Sequence, residues 1–178
     1  MPVISTLRRV GAAVTAAAAL TTLGAGAASA ADYKLPYPSG ESYRVTQGNF
    51  GNYSHTGAYN QYAWDFALPN QYEVSAAQAG TVHTSGQSPY WQNGVEMLIR
   101  HSNGQCTHYA HLDRALYRAG AAVPQGRVVA WSGNTGASSG PHLHYQAIDC
   151  NTRVGIASTL QGTKPGTGSL PVSTNVRR

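Results

Sequence analysis

The chain has 178 residues, with twelve Lys/Arg against seven Asp/Glu, seven His and a formal net charge of +5. Arg8 and Arg9 supply two of those cations, so residues 31–178 carry ten against seven, a mild +3 with no basic run interleaved with aromatics. That is too weak a field to support a nucleic-acid reading, and the length suits one domain with enough residues for a core.

In sequence order, Arg8-Arg9 is followed by an alanine-rich apolar stretch from Val10 to about Gly24 and by Ala28-Ser29-Ala30. This is the pattern of a secretory signal peptide over residues 1–30, removed after Ala30. The apolar run is too short to favour a membrane span, so the mature chain is expected to be secreted and free of membrane. Residues 31–48 are rich in Pro, Tyr and Gly and are predicted to lead in along the surface. Next comes Ser54-His55-Thr56-Gly57 and then Ala63-Trp64-Asp65-Phe66-Ala67, in which a carboxylate sits inside an apolar strand-like run. Burying such a group alone is costly, so Asp65 is expected to be paired or metal-bound.

Val95–Arg100 reads as a strand, Ser102-Asn103-Gly104 as a turn and Cys106–Leu112 as the returning partner, a hairpin signal. Asp113–Arg118 could form one or two helical turns, and Ala119–Ala130 bends into another short strand. The glycine-dense run Ser132–Gly140 then delivers Pro141-His142-Leu143-His144-Tyr145. Histidines at i and i+2 share a face only on extended backbone, which turns Leu143 and Tyr145 toward a core. Taken alone, such a pair also fits a solvated strand face. From Ser158 onward Gly, Thr, Ser and Pro dominate, and residues 158–178 are predicted to be loosely held. The fold class is mostly β: a single domain with an antiparallel sheet and a groove walled by loops.

The two cysteines of a secreted protein are best read as one disulfide, Cys106–Cys150. Strand parity speaks against it slightly. On an unbroken strand Cys106 faces away from His111, whereas Cys150 shares parity with His144, so a bulge or strong twist is needed. Tyr109 shares parity with His111 and is a candidate for orienting substrate. His108 has the opposite parity and is expected to be packed or exposed; His83 and His101 read as surface or structural residues.

His55, Asp65 in an apolar strand, Tyr109-Ala110-His111-Leu112 and Gly140-Pro141-His142-Leu143-His144 form an ordered four-part pattern. In this pattern the sequence resembles the lysostaphin/LytM-type zinc endopeptidases that cut bacterial peptidoglycan peptides, over about residues 50–150. Val74-Ser75-Ala76-Ala77-Gln78-Ala79-Gly80-Thr81-Val82 is similar to a further motif of that family. Nine residues separate His55 from Asp65, where many members have three; the β-lytic branch is similar in having a longer gap.

The resemblance implies a zinc metallopeptidase domain over 49–157. One Zn²⁺ is expected on His55, Asp65 and His144, three ligands with a fourth position for water. His142 and His111 are implied as the acid/base and transition-state groups, since no glutamate metalloprotease motif is present. Tyr59 and Tyr62, in the loop between the first two ligands, are candidate substrate-binding walls along with Tyr109. The expected activity is hydrolysis of a peptidoglycan stem-peptide or cross-bridge bond by a secreted monomer whose mildly basic surface suits anionic walls. A non-catalytic wall-peptide-binding or hydrolase-activating protein is one alternative. A D-Ala-D-Ala metallo-carboxypeptidase is another, though its expected Glu-x-x-His-type segment is missing where Gly140–His144 stands.

Overall fold

A computed structural model of the protein describes residue 1 and residues 30–178. The signal-peptide reading therefore falls outside the described residues, apart from its two ends. The elements are β1 (Ala31–Tyr33), β2 (Val45–Gln47), α1 (Gly57–Asn60), β3 (Trp64–Phe66), β4 (Glu73–Ser75) and β5 (Gly80–Gln87). A 3₁₀ turn (Trp91–Asn93) precedes β6 (Val95–Arg100), β7 (Gln105–Ala115), β8 (Ala122–Val123), β9 (Val128–Ser132), β10 (Leu143–Asp149) and β11 (Ser158–Leu160).

One antiparallel sheet runs β2-β3-β10-β7-β6-β5-β8, and β9 joins the far end of β7 to β4. Its centre is held by alternation. Trp64, Phe66, Tyr109, Leu143 and Tyr145 are fully buried on one face. Asp65 and His144, one residue out of phase with them, lie on the other. Tyr109 and Tyr145 meet edge-on at 5.3 Å, and Trp64 packs at 6.5 Å from Tyr145. Phe66 and Leu143 each contribute about 1.5–3 kcal/mol by leaving water. A smaller apolar cluster of Leu98, Cys106, Ile148 and Cys150 occupies the opposite face.

The expected hairpin is present as β6–β7, but β7 runs on through Asp113–Ala115 to pair with β9. The helical turns expected over Asp113–Arg118 are replaced by that pairing.

Two terminal expectations are corrected. Residues 31–48 are not a surface lead-in: Tyr33, Leu35, Tyr37 and Val45 are core residues, and β2 is a strand of the main sheet. Residues 158–178 are not a loose tail. β11 pairs in parallel with β1, and the carbonyls of Pro165 and Pro171 accept from Trp64 Nε1 and Tyr37 Oη. Asn175 is fully buried and donates to the carbonyls of Leu35 and Ala76. The open core face of the sheet needed a cover, and the two termini supply it together.

Cys106 and Cys150 form a disulfide with Cα atoms 5.1 Å apart. Cys106 lies directly opposite Ile148 in the β7–β10 ladder, so Cys150 follows two residues along on the same face.

Candidate metal centre

Asp65 lies directly opposite His144 in the β3–β10 register, which sets both side chains on the same face of adjacent strands. His55 reaches them from the loop before α1. The ligand atoms of His55, Asp65 and His144 all fall within 4.8 Å of one another, and all three residues are buried. Asp65 Oδ1 is 3.0 Å from His144 Nδ1 and 3.2 Å from His55 Nε2.

His55 tests whether this cluster suits a cation. Its Nδ1 lies 2.9 Å from the carbonyl of Gly48, which can only accept, so Nδ1 carries the proton in the neutral ring. The Nε2 lone pair then faces a carboxylate oxygen, and this nitrogen is buried with no hydrogen-bond partner. Two acceptors held face to face at a buried site repel unless a positive charge sits between them. The donor set, two imidazole nitrogens and one carboxylate, suits a small divalent metal.

His142 and His111 stand beside this cluster. His142 Nδ1 donates to the carbonyl of Gly140 at 2.9 Å, and His142 Nε2 is 3.9 Å from Asp65 Oδ1. His111 Nδ1 donates to the carbonyl of Thr135 at 2.8 Å. The backbone carbonyls thus fix the tautomer of three of the four rings, and each keeps an Nε2 lone pair.

Burial holds His144 below the ordinary histidine pKa, against the opposing pull of Asp65. His111 is lowered to about 4 by burial and by the neighbouring His144 and His142. Burial alone drives Asp65 upward, but the contacts with His144 and His55 outweigh it and leave the carboxyl well below its usual range. Burial thus favours the neutral ring at His144 and His111, the form in which an imidazole nitrogen has a lone pair to give.

His111 reaches the site through a break in strand regularity. Val95 pairs with Leu112 but Met97 pairs with Tyr109, so Ala110 and His111 together oppose Glu96 alone. This is a β-bulge, and His111 takes the left-handed conformation with φ 59°. The bulge swings His111 onto the face of Asp65 and His144 and resolves the parity conflict with Cys106. It also corrects Tyr109, which no longer shares a face with His111. Tyr109 is fully buried in the core, where its hydroxyl accepts from the amide of Ala77 at 2.9 Å. Gly94, at φ 63°, lets the loop before β6 close onto Thr135, since an added Cβ would sit 2.3 Å from Thr135 Oγ1. That approach backs the carbonyl that holds His111.

The site opens into a groove of ≈ 620 Å³ lined by Gln47, Tyr53, Asp65, His111, His142 and His144, among others. Of the expected wall residues, Tyr59 is exposed and lines a neighbouring hollow. Tyr62 packs edge-on against Phe50 at 5.2 Å, and neither hollow includes it in its lining.

Sequence reading passes over Gln47, whose Nε2 donates to Asp65 Oδ2 at 3.1 Å and whose Oε1 accepts from the amides of Tyr53 and Ser54. It ties the loop that carries His55 to the carboxylate. Glu96 is also passed over, although it sits in an apolar strand just as Asp65 does. That signal leads to His108, which is buried with Nε2 2.8 Å from Glu96 Oε2. His101 is structural, bonded to Ala79 and Thr107.

Residues 59–155 match the model of peptidase family M23, more than half of the chain. Over 107 residues the sequence is 40% identical to the peptidoglycan DD-endopeptidase ShyA of Vibrio cholerae, covering 60% of this chain and 24% of that protein. The protein thus spans about a quarter of the length of that curated relative. A crystal structure of a zinc-containing peptidase from Vibrio cholerae superposes with a TM-score of 0.53 at 29% identity, over 65% of this chain and 36% of that one. Lysostaphin from Staphylococcus simulans superposes with a TM-score of 0.53 at 26% identity, over 70% of this chain and 47% of that one.

Proposed function

The chain belongs to peptidase family M23, and on that premise we propose that it is a secreted, zinc-dependent endopeptidase hydrolysing peptide bonds of bacterial peptidoglycan. One observation carries the reading. The buried, unpartnered Nε2 of His55 faces Asp65 beside His144, with two further imidazoles at the groove side of the cluster. A wall-binding protein has no use for two imidazoles placed beside a metal-ligating cluster, whereas a metallopeptidase uses them for proton transfer.

His55, Asp65 and His144 are the ligands in this reading. Zinc held by them would supply Lewis acidity, lowering the pKa of a water from 15.7 to about 7. His142, with Nδ1 fixed by Gly140, offers Nε2 as the general base toward the pocket centre. His111, its ring centroid 4.5 Å from that of His142, presents an Nε2 lone pair that takes up a proton; once protonated, Nε2 donates to the substrate oxygen and returns the proton. Asp65 stays ionised and keeps the neighbouring imidazoles oriented. The groove beside them accepts an extended peptide. The protein acts as a monomer outside the cell after removal of residues 1–30.

The test is loss of turbidity of a purified wall suspension, with and without a chelator, followed by mass analysis of the released peptides. Chelator-sensitive release of cross-link or stem-peptide fragments is expected. Release that is indifferent to chelator, or no release from zinc-loaded protein on any wall type, overturns the reading.

A further inference from the structure

Asn60, Gln92 and Asn93 line both the groove of the metal centre and a second hollow of ≈ 440 Å³, so the two are continuous. Against this hollow lies a buried polar cluster that the peptidase chemistry does not use. Glu96 is 2% exposed. Its carboxylate accepts from Asn93 Nδ2 at 3.0 Å, lies 2.8 Å from His108 Nε2 and takes two bonds from Arg153, one to each oxygen. Among the described residues lining the two hollows, Arg153 is the one Lys or Arg.

Arg153 is held in place from several sides. Its guanidinium packs across the ring of Tyr90 at 4.9 Å, and its backbone is left-handed at φ 61° in the turn after β10. A bulkier residue than glycine keeps such a conformation only where its surroundings impose it, and such residues gather at ligand sites. Two of its five N–H groups are spent on Glu96, which leaves three on a fork already immobilised.

A second group points to a ligand independently. Gln146 lines the same hollow, is 3% exposed, and its Oε1 is buried without any hydrogen-bond partner. Its amide nitrogen is turned toward Asn60 Oδ1 at 3.4 Å and His108 Nδ1 at 3.5 Å. The hollow is thus lined by a fixed guanidinium ion-paired with Glu96 and by Gln146, whose unmet acceptor is buried in the wall, with Tyr59 and Tyr90 as further walls.

We propose that this hollow is a recognition subsite for a peptide carboxylate whose adjacent carbon bears an N–H, with Arg153 taking the carboxylate and Gln146 Oε1 the N–H. The inference rests on the endopeptidase reading and deepens it, for it makes cleavage selective for peptides that present a free carboxylate close to the scissile bond. Two sources share that chemistry: the terminal α-carboxylate of the peptide backbone, and the far end of a diamino dicarboxylic acid residue.

Three synthetic stem peptides separate them, one with both carboxylates free, one amidated at the backbone terminus and one amidated on the side chain. Wild-type protein should lose about 10–100-fold in kcat/KM on amidation of the recognised carboxylate, the range of a charge-assisted hydrogen bond. Arg153→Gln and Arg153→Lys should bring the acid-to-amide ratio close to one, and Gln146→Leu should lower it part of the way. Equal rates of the wild type on all three peptides overturn the inference and leave the endopeptidase function standing. Equilibrium binding of the same peptides to the wild type reads the ratio without turnover. Selective binding with no cleavage therefore sinks the endopeptidase reading and supports the subsite. If Arg153→Gln fails to fold, the wild-type ratio alone decides.

Discussion

His111 and His142 lie with ring centroids 4.5 Å apart and planes tilted by 49°, each giving its Nδ1 proton to a backbone carbonyl. They come from different devices, a β-bulge in β7 and the glycine-rich loop before β10. Neither ring belongs to the His55–Asp65–His144 ligand cluster.

This division separates metal loading from turnover. His144→Ala should lose most bound metal by elemental analysis while its circular dichroism stays that of a folded β protein. His142→Ala and His111→Ala should keep metal and lose activity by about 10²–10⁴, the usual worth of an acid–base group. Stoichiometric zinc in His144→Ala, or near-wild-type turnover in either of the others, would remove that residue from its role.

The bulge offers a test on stability alone. At φ 59°, His111 carries a left-handed cost of about 1–2 kcal/mol that glycine escapes. His111→Gly should therefore melt above His111→Ala, although both are inactive. Equal melting temperatures, or the reverse order, would show that no strain is held there.

Gln47 joins Asp65 to the loop bearing His55. Gln47→Leu should weaken zinc affinity about 10–100-fold, the range for groups that orient ligands, with little change in melting temperature of the metal-free protein. Competition with a chromophoric chelator measures it, and unchanged affinity would mean that Asp65 needs no such support.

Burial holds His101 below its ordinary pKa, with Nδ1 donating to the carbonyl of Ala79 and Nε2 beside Thr107 Oγ1. The unfolded state therefore binds the proton more readily. Its contribution to stability is complete above the ordinary histidine pKa of about 6.5 and is lost as pH falls below it. Thermal melts from pH 8 to pH 5 should fall more steeply for the wild type than for His101→Gln. Parallel curves would show that His101 is not buried as a neutral ring.

The disulfide closes 44 residues that include His111, His142 and His144. By loop entropy it is worth roughly 4 kcal/mol, with measured values often smaller. Reduction should lower the melting temperature first and cost activity only as the fold loosens. Activity lost at temperatures where the reduced protein is still folded would assign the bond a direct part in the site.

The site pattern was legible in the sequence because metal chemistry restricts residue types and strand periodicity restricts their faces. Asp65 between two apolar residues, and His142 and His144 two apart, announce their faces before any fold is known. The disulfide followed from cysteine count. Other features depended on contacts between segments far apart in sequence. The bulge at His111 has no glycine to announce it, being imposed by the register of β6 against β7, so strand parity alone places Tyr109 on the wrong face. The C-terminal stretch has a loop composition, yet it is ordered because it covers Trp64 and Tyr37 and pairs with β1. The Glu96–Arg153 pair spans 57 residues and forms only when the turn after β10 closes over β6. Local periodicity specifies which way a residue points from its own strand; which groups meet across strands is decided by register and by the burial that the assembled sheet demands.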